Sequence, residues 1–541
     1  MKKHLCSIII LLFSFILSAQ NNITLSSDQH MIYLGAIDKT TPVYIIRKDT
    51  EGLISTIKEY YYYIGEEKNG PYDEYGWPVF SPDGKTLAYT AKIDGKWYVI
   101  AGKEKAGPYE YISYSLTFSP DGKTLAYTAE IDGKWYVIAG KEKAGPYEDI
   151  SYSLTFSPDG KTLAYTAEID GKWYVIAGKE KAGPYEDEDI SYSLTFSPDG
   201  KTLAYTAKID GKWYVIAGKE KAGPYDNCDQ LTFSPDGKTL AYTAKIDGKW
   251  YVIAGKEKAG PYDKCDDLTF SPDGKTLAYT AKIDGKWYVV NGKEKAGPYE
   301  DIWDIAFSPD GKTLAYEAEI DGKWYVIAGK EKAGPYEDIW DIAFSPDGKT
   351  LAYEAEIDGK WYVIAGKEKA GPYEDSYSLT FSPDGKTLAY LAIIDGKWYV
   401  IAGKEKVGPY EDISYSLTFS PDGKTLAYRA KIDGKWYVIA GKEKAGPYED
   451  IRYPIFSPDG KTLAYTAEID GKWYVIAGKE KAGPYDWCYN LTFSPDGKTL
   501  AYTAKIDGEL QSILMYEGNE YIGSICNNSI IYFSNNQIFI E

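Results

Sequence analysis

Residues 80–89 read FSPDGKTLAY, and the same string returns unchanged eleven more times, its Ser at 119, 157, 197, 234, 271, 308, 345, 382, 420, 457 and 494. The steps are 37 or 38 residues, with one of 40. Self-similarity at such a period is the signature of a repeat architecture. A fuller unit reads FSPDGKTLAYTAKIDGKWYVIAGKEKAGPYEDISYSLT. A worn copy at 23–46 precedes the array, and the tail after Cys526 follows it, so the chain holds about fourteen units, the last truncated.

Within a unit, TLAYTAKI and KWYVIAG are β-rich runs joined by Asp-Gly, as at Asp94-Gly95. That dipeptide between such runs predicts a tight hairpin. Ser-Pro-Asp-Gly supplies a second turn, because Pro presets φ and Gly accepts a positive φ after it. GKEKAGPYEDI gives a fourth, more polar strand. The expected unit is a four-stranded antiparallel meander. Both alternating sets in Leu87-Ala88-Tyr89-Thr90 and Trp97-Tyr98-Val99-Ile100 are largely apolar, so each sheet needs cover on both faces. Identical neighbours provide it in a β-propeller. The competing β-solenoid builds rungs from parallel strands, which tight hairpins do not suit.

The predicted fold class is therefore all-β: propeller blades, twelve of them near-identical, as two tandem rings, one large ring or an open spiral. Organisation reads as a leader at 1–19, a divergent blade region at 20–79, the near-identical repeats at 80–508 and divergent closing strands at 509–541. If a ring closes, the strands predicted at 529–534 and 537–541 would pair with N-terminal strands and remove exposed edges.

FSPDGKTLAY followed by a DGK hairpin resembles the WD40-like repeat of TolB-type periplasmic propellers and of the propeller domains of prolyl-oligopeptidase relatives. The resemblance spans nearly all of the chain after the leader and implies the fold. It carries no activity across: the extra domain of TolB has no counterpart, and there is no G-x-S-x-G nucleophile elbow.

Composition narrows function further. The 541 residues include 53 Tyr, 53 Gly and 15 Trp but only two His. One of these, His4, falls in the leader, which leaves His30 as the sole imidazole for base catalysis or metal ligation. Lys2 and Lys3, an apolar run from Ser7 to Leu17 and Ser18-Ala19-Gln20 have the order of a secretory signal, predicting a secreted or periplasmic protein. The formal net charge is −19, and loss of the leader removes two lysines and no acid. Such a surface repels phosphate backbones and anionic lipid, so neither nucleic acid nor membrane insertion after cleavage is expected.

Copies differ mainly between GPY and FSP. Five residues before the Ser of each SPDG stand Tyr114, Tyr152, Tyr192, Asp229, Asp266, Trp303, Trp340, Tyr377, Tyr415, Arg452 and Tyr489. The four Trp outside the repeated KWY, namely Trp77, Trp303, Trp340 and Trp487, all fall in this segment. A second set precedes the Asp-Gly hairpin, where Thr90 becomes Glu317, Glu354, Leu391 or Arg429, and Lys92 becomes Glu130 or Glu168. In a four-stranded meander both sets lie at one end. The eleven residues are the candidate ligand-binding set, aromatic rings giving contact area and acids setting orientation. The competing reading is packing, since the position shares strand parity with Leu116 and Phe118.

SPDGKT resembles the S-x-D-x-G-x-T box of sialidase-type propellers, but its Gly comes one residue early, which speaks for a turn. Neither PDGK nor IDGK offers the alternating acids of a calcium loop. No metal or other cofactor is expected. Cys228 and Cys265, like Cys488 and Cys526, are one repeat apart, and an oxidising compartment would allow disulfides if adjacent blades bring them within reach. Near-identical blades repeat the same groups, whereas catalysis needs unlike groups in one constellation. The expectation is a non-enzymatic scaffold for a protein or glycan partner. An envelope structural or adhesive array is the alternative, an enzyme the remotest reading, and the oligomeric state is left open.

Overall fold

A computed structural model describes residues 21–22, 29–38, 41–51, 56–64, 67–113, 116–151, 153–185, 190, 194–494, 497–506, 509–516, 519–526, 529–534 and 537–540. The leader, Tyr114, Tyr152 and Tyr192 lie outside the described residues. Every described segment of regular structure is a strand, and every described strand pairing is antiparallel, which removes the solenoid alternative.

One blade shows how the repeat folds. Asn227–Phe233, Leu240–Ile246, Lys249–Ala254 and Glu257–Tyr262 pair in chain order. Asp247 and Gly248 both take positive φ, 50° and 78°, the two-residue turn whose twist matches its strands. At the other end of the blade the Ser234 hydroxyl is fully buried. It donates to Asp236 Oδ1 at 2.7 Å and accepts from the Thr239 amide at 3.0 Å, while the Gly237 amide donates to the Ser234 carbonyl at 2.8 Å. SPDGKT is thus a self-contained turn. Hydrogen bonds from Ser234, then Lys238, hold the Asp236 carboxyl down at about 2.

Within the run from 153 to 410, successive sheets pack face to face, so a sheet inside that run is covered on both sides. Val215, from one blade, packs with Cys228, Tyr242, Ala244 and Ile253 of the next. Tyr225 closes the fourth strand of the first blade, and its hydroxyl meets that of Tyr242 across the interface at 3.0 Å. The same buried pair recurs as Tyr147–Tyr165, Tyr299–Tyr316 and Tyr410–Tyr428, which accounts for much of the Tyr content. On the outer strands a Lys ammonium caps the second aromatic of KWY, as with Lys258 lying 3.9 Å from the Tyr251 ring centre. The chain is an all-β protein of propeller blades.

The chain divides into two compact units. The unit at 109–448 carries nine blades among its described residues. The unit at 1–108 and 449–541 includes the worn N-terminal sheet, Gln29–Asp38 to Glu67–Tyr72, and a seven-stranded sheet. In the latter, the tail that reads as a truncated repeat extends the last blade instead of opening its own sheet. Gln537–Ile540 then pairs with Asn21–Asn22, Asn22 opposite Gln537, as expected for the last strand, whereas Ser529–Ser534 pairs with Asn519–Cys526 and Gln537–Ile540 and, among the described residues, with no N-terminal strand.

Candidate functional site

The two variable sets are cross-strand partners. Asp229 stands opposite Thr243, Asp266 opposite Thr280, Trp303 opposite Glu317, Trp340 opposite Glu354, Tyr377 opposite Leu391, Arg452 opposite Thr466 and Tyr489 opposite Thr503. Directly opposed residues share a face, so the differences between copies collapse onto one stripe over the first two strands.

The expected parity with Leu116 and Phe118 does not hold in these seven blades. Each first strand slips register by one residue just after the variable position, as between Trp303 and Ala306. The residue after it takes a positive φ, 51° at Asp304, 53° at Asp341 and 64° at Ser378. This is a β-bulge, and it turns Trp303 to the opposite face from Phe307. Sequence patterning missed it because Asp, Ser, Gln, Asn and, after Arg452, Tyr, not Gly, supply the left-handed residue.

Rings at this position lie on the wet side of the interface. Trp303 is 53% exposed and leans on Trp324, centroids 5.1 Å apart, with its Nε1 donating to Asp301 Oδ2 at 3.3 Å. Trp340 is 42% exposed, 4.7 Å from Trp361 and 6.2 Å from Tyr377. Tyr377 is half-buried and its hydroxyl donates to Asp375. Tyr415, 61% exposed, stands edge-on to Tyr377 at 5.4 Å and to Trp398 at 5.8 Å. Three successive blades, 339–373, 375–410 and 412–448, therefore bring Trp340, Tyr377 and Tyr415 into one run.

The remaining positions are self-contained. Asp229 is exposed, with Oδ1 accepting from the Gln230 amide; the Gln230 side chain reaches the next blade to donate to Asp266 Oδ1 at 3.0 Å. Asp266 also holds Lys264 at 2.5 Å. In the other unit, Arg452 pairs with Asp450 at 3.0 Å and lies over Trp473 and Trp487, while Tyr489 is half-buried.

Several acids turn out to be structural. The residue after GPY caps the hairpin of the blade it enters, as Glu300 Oε2 accepting from the Gly322 amide at 2.8 Å, and the next accepts locally, as Asp301 Oδ1 from Ile302. Sequence reasoning instead passed over the stripe's most perturbed groups. Glu317 and Glu354 are 2% and 0% exposed, and Glu317 Oε1 and both carboxyl oxygens of Glu354 make no hydrogen bond. Burial, reinforced by nearby Asp304, Asp338 and Asp341 for the first and by Asp341 and Asp375 for the second, pushes each carboxyl up to about 8. The fully buried Ser376 hydroxyl is close enough to Glu354 to offset part of that rise but falls short of a hydrogen bond. The available signal was a Glu replacing Thr opposite a Trp.

Cys228, Cys265 and Cys488 are buried free thiols, so the Cys228–Cys265 bridge is absent; the side chain of Cys526 lies outside the described residues. Burial pushes all three thiols up to about 12, away from reactive thiolate. Among the described residues no group of His, Cys, Asp and Glu is arranged to hold a metal ion.

No family model and no curated protein matches this chain. Among solved structures it is similar to the propeller domain of the Trilobed protease from Pyrococcus furiosus, at 14% identity and TM-score 0.23, covering 51% of this chain and 98% of that one. It is similar to a putative TolB from Agrobacterium tumefaciens at 17% and 0.22, covering 47% and 92%. It is also similar to a eukaryotic initiation factor, at 14% identity and TM-score 0.29, covering 60% and 92%.

Proposed function

We propose that this chain is an exported, non-catalytic propeller scaffold that holds a protein or glycan partner on the aromatic and acidic stripe over its first two strands. The observation that carries this reading is the exposure of Trp303, Trp340 and Tyr415 on blades whose interiors are otherwise nearly invariant. A monomer gains nothing from leaving such large rings in water, whereas a partner covering them gains rigid contact area at small entropic cost. Export rests on the leader at residues 1–19, and the absence of catalysis on the repetition of like groups from blade to blade. The test is the double change Trp303→Ala with Trp340→Ala, assayed for binding on protein and glycan arrays. Affinity for the bound partner should fall about tenfold or more, as hot-spot aromatics do, while the thermal melt stays close to that of the parent. A large drop in melting temperature with binding retained would assign the rings to packing.

A further inference from the structure

The chemistry of the partner can be read from what the chain does at its own blades; this step rests on the partner-binding reading above. The third strand of eleven of the twelve near-identical repeats carries an indole, and several blades lay a cation of their own over it. Lys92 Nζ lies 5.7 Å from the Trp97 ring centre and Lys245 Nζ 5.9 Å from that of Trp250. Trp287 has two such neighbours, Lys282 at 5.3 Å and Lys264 at 5.7 Å, the latter held by Asp266. The fullest case is Arg452, whose guanidinium sits 5.2 Å from Trp473 and 4.6 Å from Trp487 while Asp450 holds its Nε at 3.0 Å. A cation on an indole face, anchored by a carboxylate two residues back, is this blade's own complement.

Three consecutive blades, 302–336, 339–373 and 375–410, keep the acceptors and omit the donor. Where Arg452 stands elsewhere they carry Trp303, Trp340 and Tyr377, and where Lys92 stands they carry Glu319, Glu356 and Ile393. The carboxylate equivalent to Asp450 persists as Asp301, Asp338 and Asp375. Among the described residues, none of these blades lays a cation of its own over Trp324, Trp361 or Trp398. Behind the rings wait buried Glu317 and Glu354, with unpartnered oxygens, and the unpartnered Ser376 hydroxyl.

We propose that this stripe binds the Lys and Arg side chains of an extended basic protein segment, the partner's cations lying over the exposed rings of Trp303, Trp340 and Tyr415, which themselves cover Trp324, Trp361 and Trp398. Charge complementarity favours this over a neutral glycan, since these three blades set Asp301, Glu319, Asp338, Glu356 and Asp375 against Lys323, which is itself paired with Glu337 at 3.6 Å. Three equivalent positions in a row suit a segment with several charges better than a single small amine.

The test is calorimetric titration of the purified full chain at physiological salt with an alternating Arg-Gly peptide, its neutral Gln-Gly counterpart and a panel of neutral oligosaccharides. Saturable binding of the Arg-Gly peptide alone is expected. Tyr377→Arg, which copies the Arg452 arrangement beside Asp375, should fill the site internally and weaken binding about tenfold, that is ~1.4 kcal/mol, without lowering the melting temperature. Trp340→Ala should weaken it comparably, and Arg452→Ala should expose an additional peptide site. Equal binding of the Gln-Gly peptide, no Arg-Gly binding, or Tyr377→Arg and Trp340→Ala both within twofold of the parent would overturn the proposal. Oligosaccharide binding lost in Trp340→Ala, with no Arg-Gly response, would overturn the cationic assignment and leave the partner-binding face standing.

Discussion

Glu317 and Glu354 concentrate the electrostatic cost of the stripe in two side chains. Each is buried opposite a Trp, with carboxylates nearby and no cation of its own blade to offset them. Their folded-state carboxyls are raised from the ordinary 4.5 to about 8, so the fold binds a proton that the unfolded chain has released. The stability this contributes is complete below about pH 4.5 and is lost as pH rises through about 8. At one pKa unit to about 1.4 kcal/mol, the loss over that window is of order 5 kcal/mol per glutamate. Glu354→Gln, neutral at every pH and similar in shape, should therefore raise the melting temperature at pH 8 and leave it unchanged near pH 4. Melting curves of parent and variant across that range check it; parallel curves would mean that the carboxyl is solvated. Leu391, fully buried at the same position one blade on, shows that the site accepts an apolar group.

At the scale of the element, the recurring unit is a sheet whose ends are tied by its own side chains and whose faces are tied to its neighbours by Tyr pairs. Tyr242→Phe deletes one hydroxyl and leaves that of Tyr225 in a buried interface without its partner. The expected cost is about 1–2 kcal/mol, mostly the desolvation of the orphaned group. It should be read as faster amide hydrogen exchange along Leu240–Ile246 and Glu220–Tyr225, with distant blades unchanged. Tyr225→Phe added to it should restore part of the loss, because an all-apolar pair leaves nothing unsatisfied. The bulge in the first strand belongs to this scale too. It lets one strand present a packed Phe307 and an exposed Trp303 on opposite faces, which a regular strand with that spacing cannot do.

At the scale of the whole molecule, stability is close to a sum of blades and like interfaces. Deleting residues 226–262 removes one blade and brings Tyr225 against Tyr279, the same chemistry as the Tyr225–Tyr242 contact it replaces. The shortened protein should stay all-β by circular dichroism, with a melting temperature within about 3 °C of the parent, as expected where only nearest-neighbour terms count. A collapse of the melt would show that the number of blades is itself constrained. The repeat alone determined the strands, the SPDGKT and Asp-Gly turns, the antiparallel meander and the double-sided burial, because each follows from local propensity and a period-two apolar pattern repeated beyond chance. It also determined where the copies differ. Tertiary structure decided what those differences mean: that the two variable sets are opposed in one ladder, that a bulge reverses the parity of the rings, that most acids after GPY are spent as caps, and that two glutamates are sealed between blades. None of this could be read from spacing, because it depends on register and on what the neighbouring sheet presents, and both are fixed only when the blades pack.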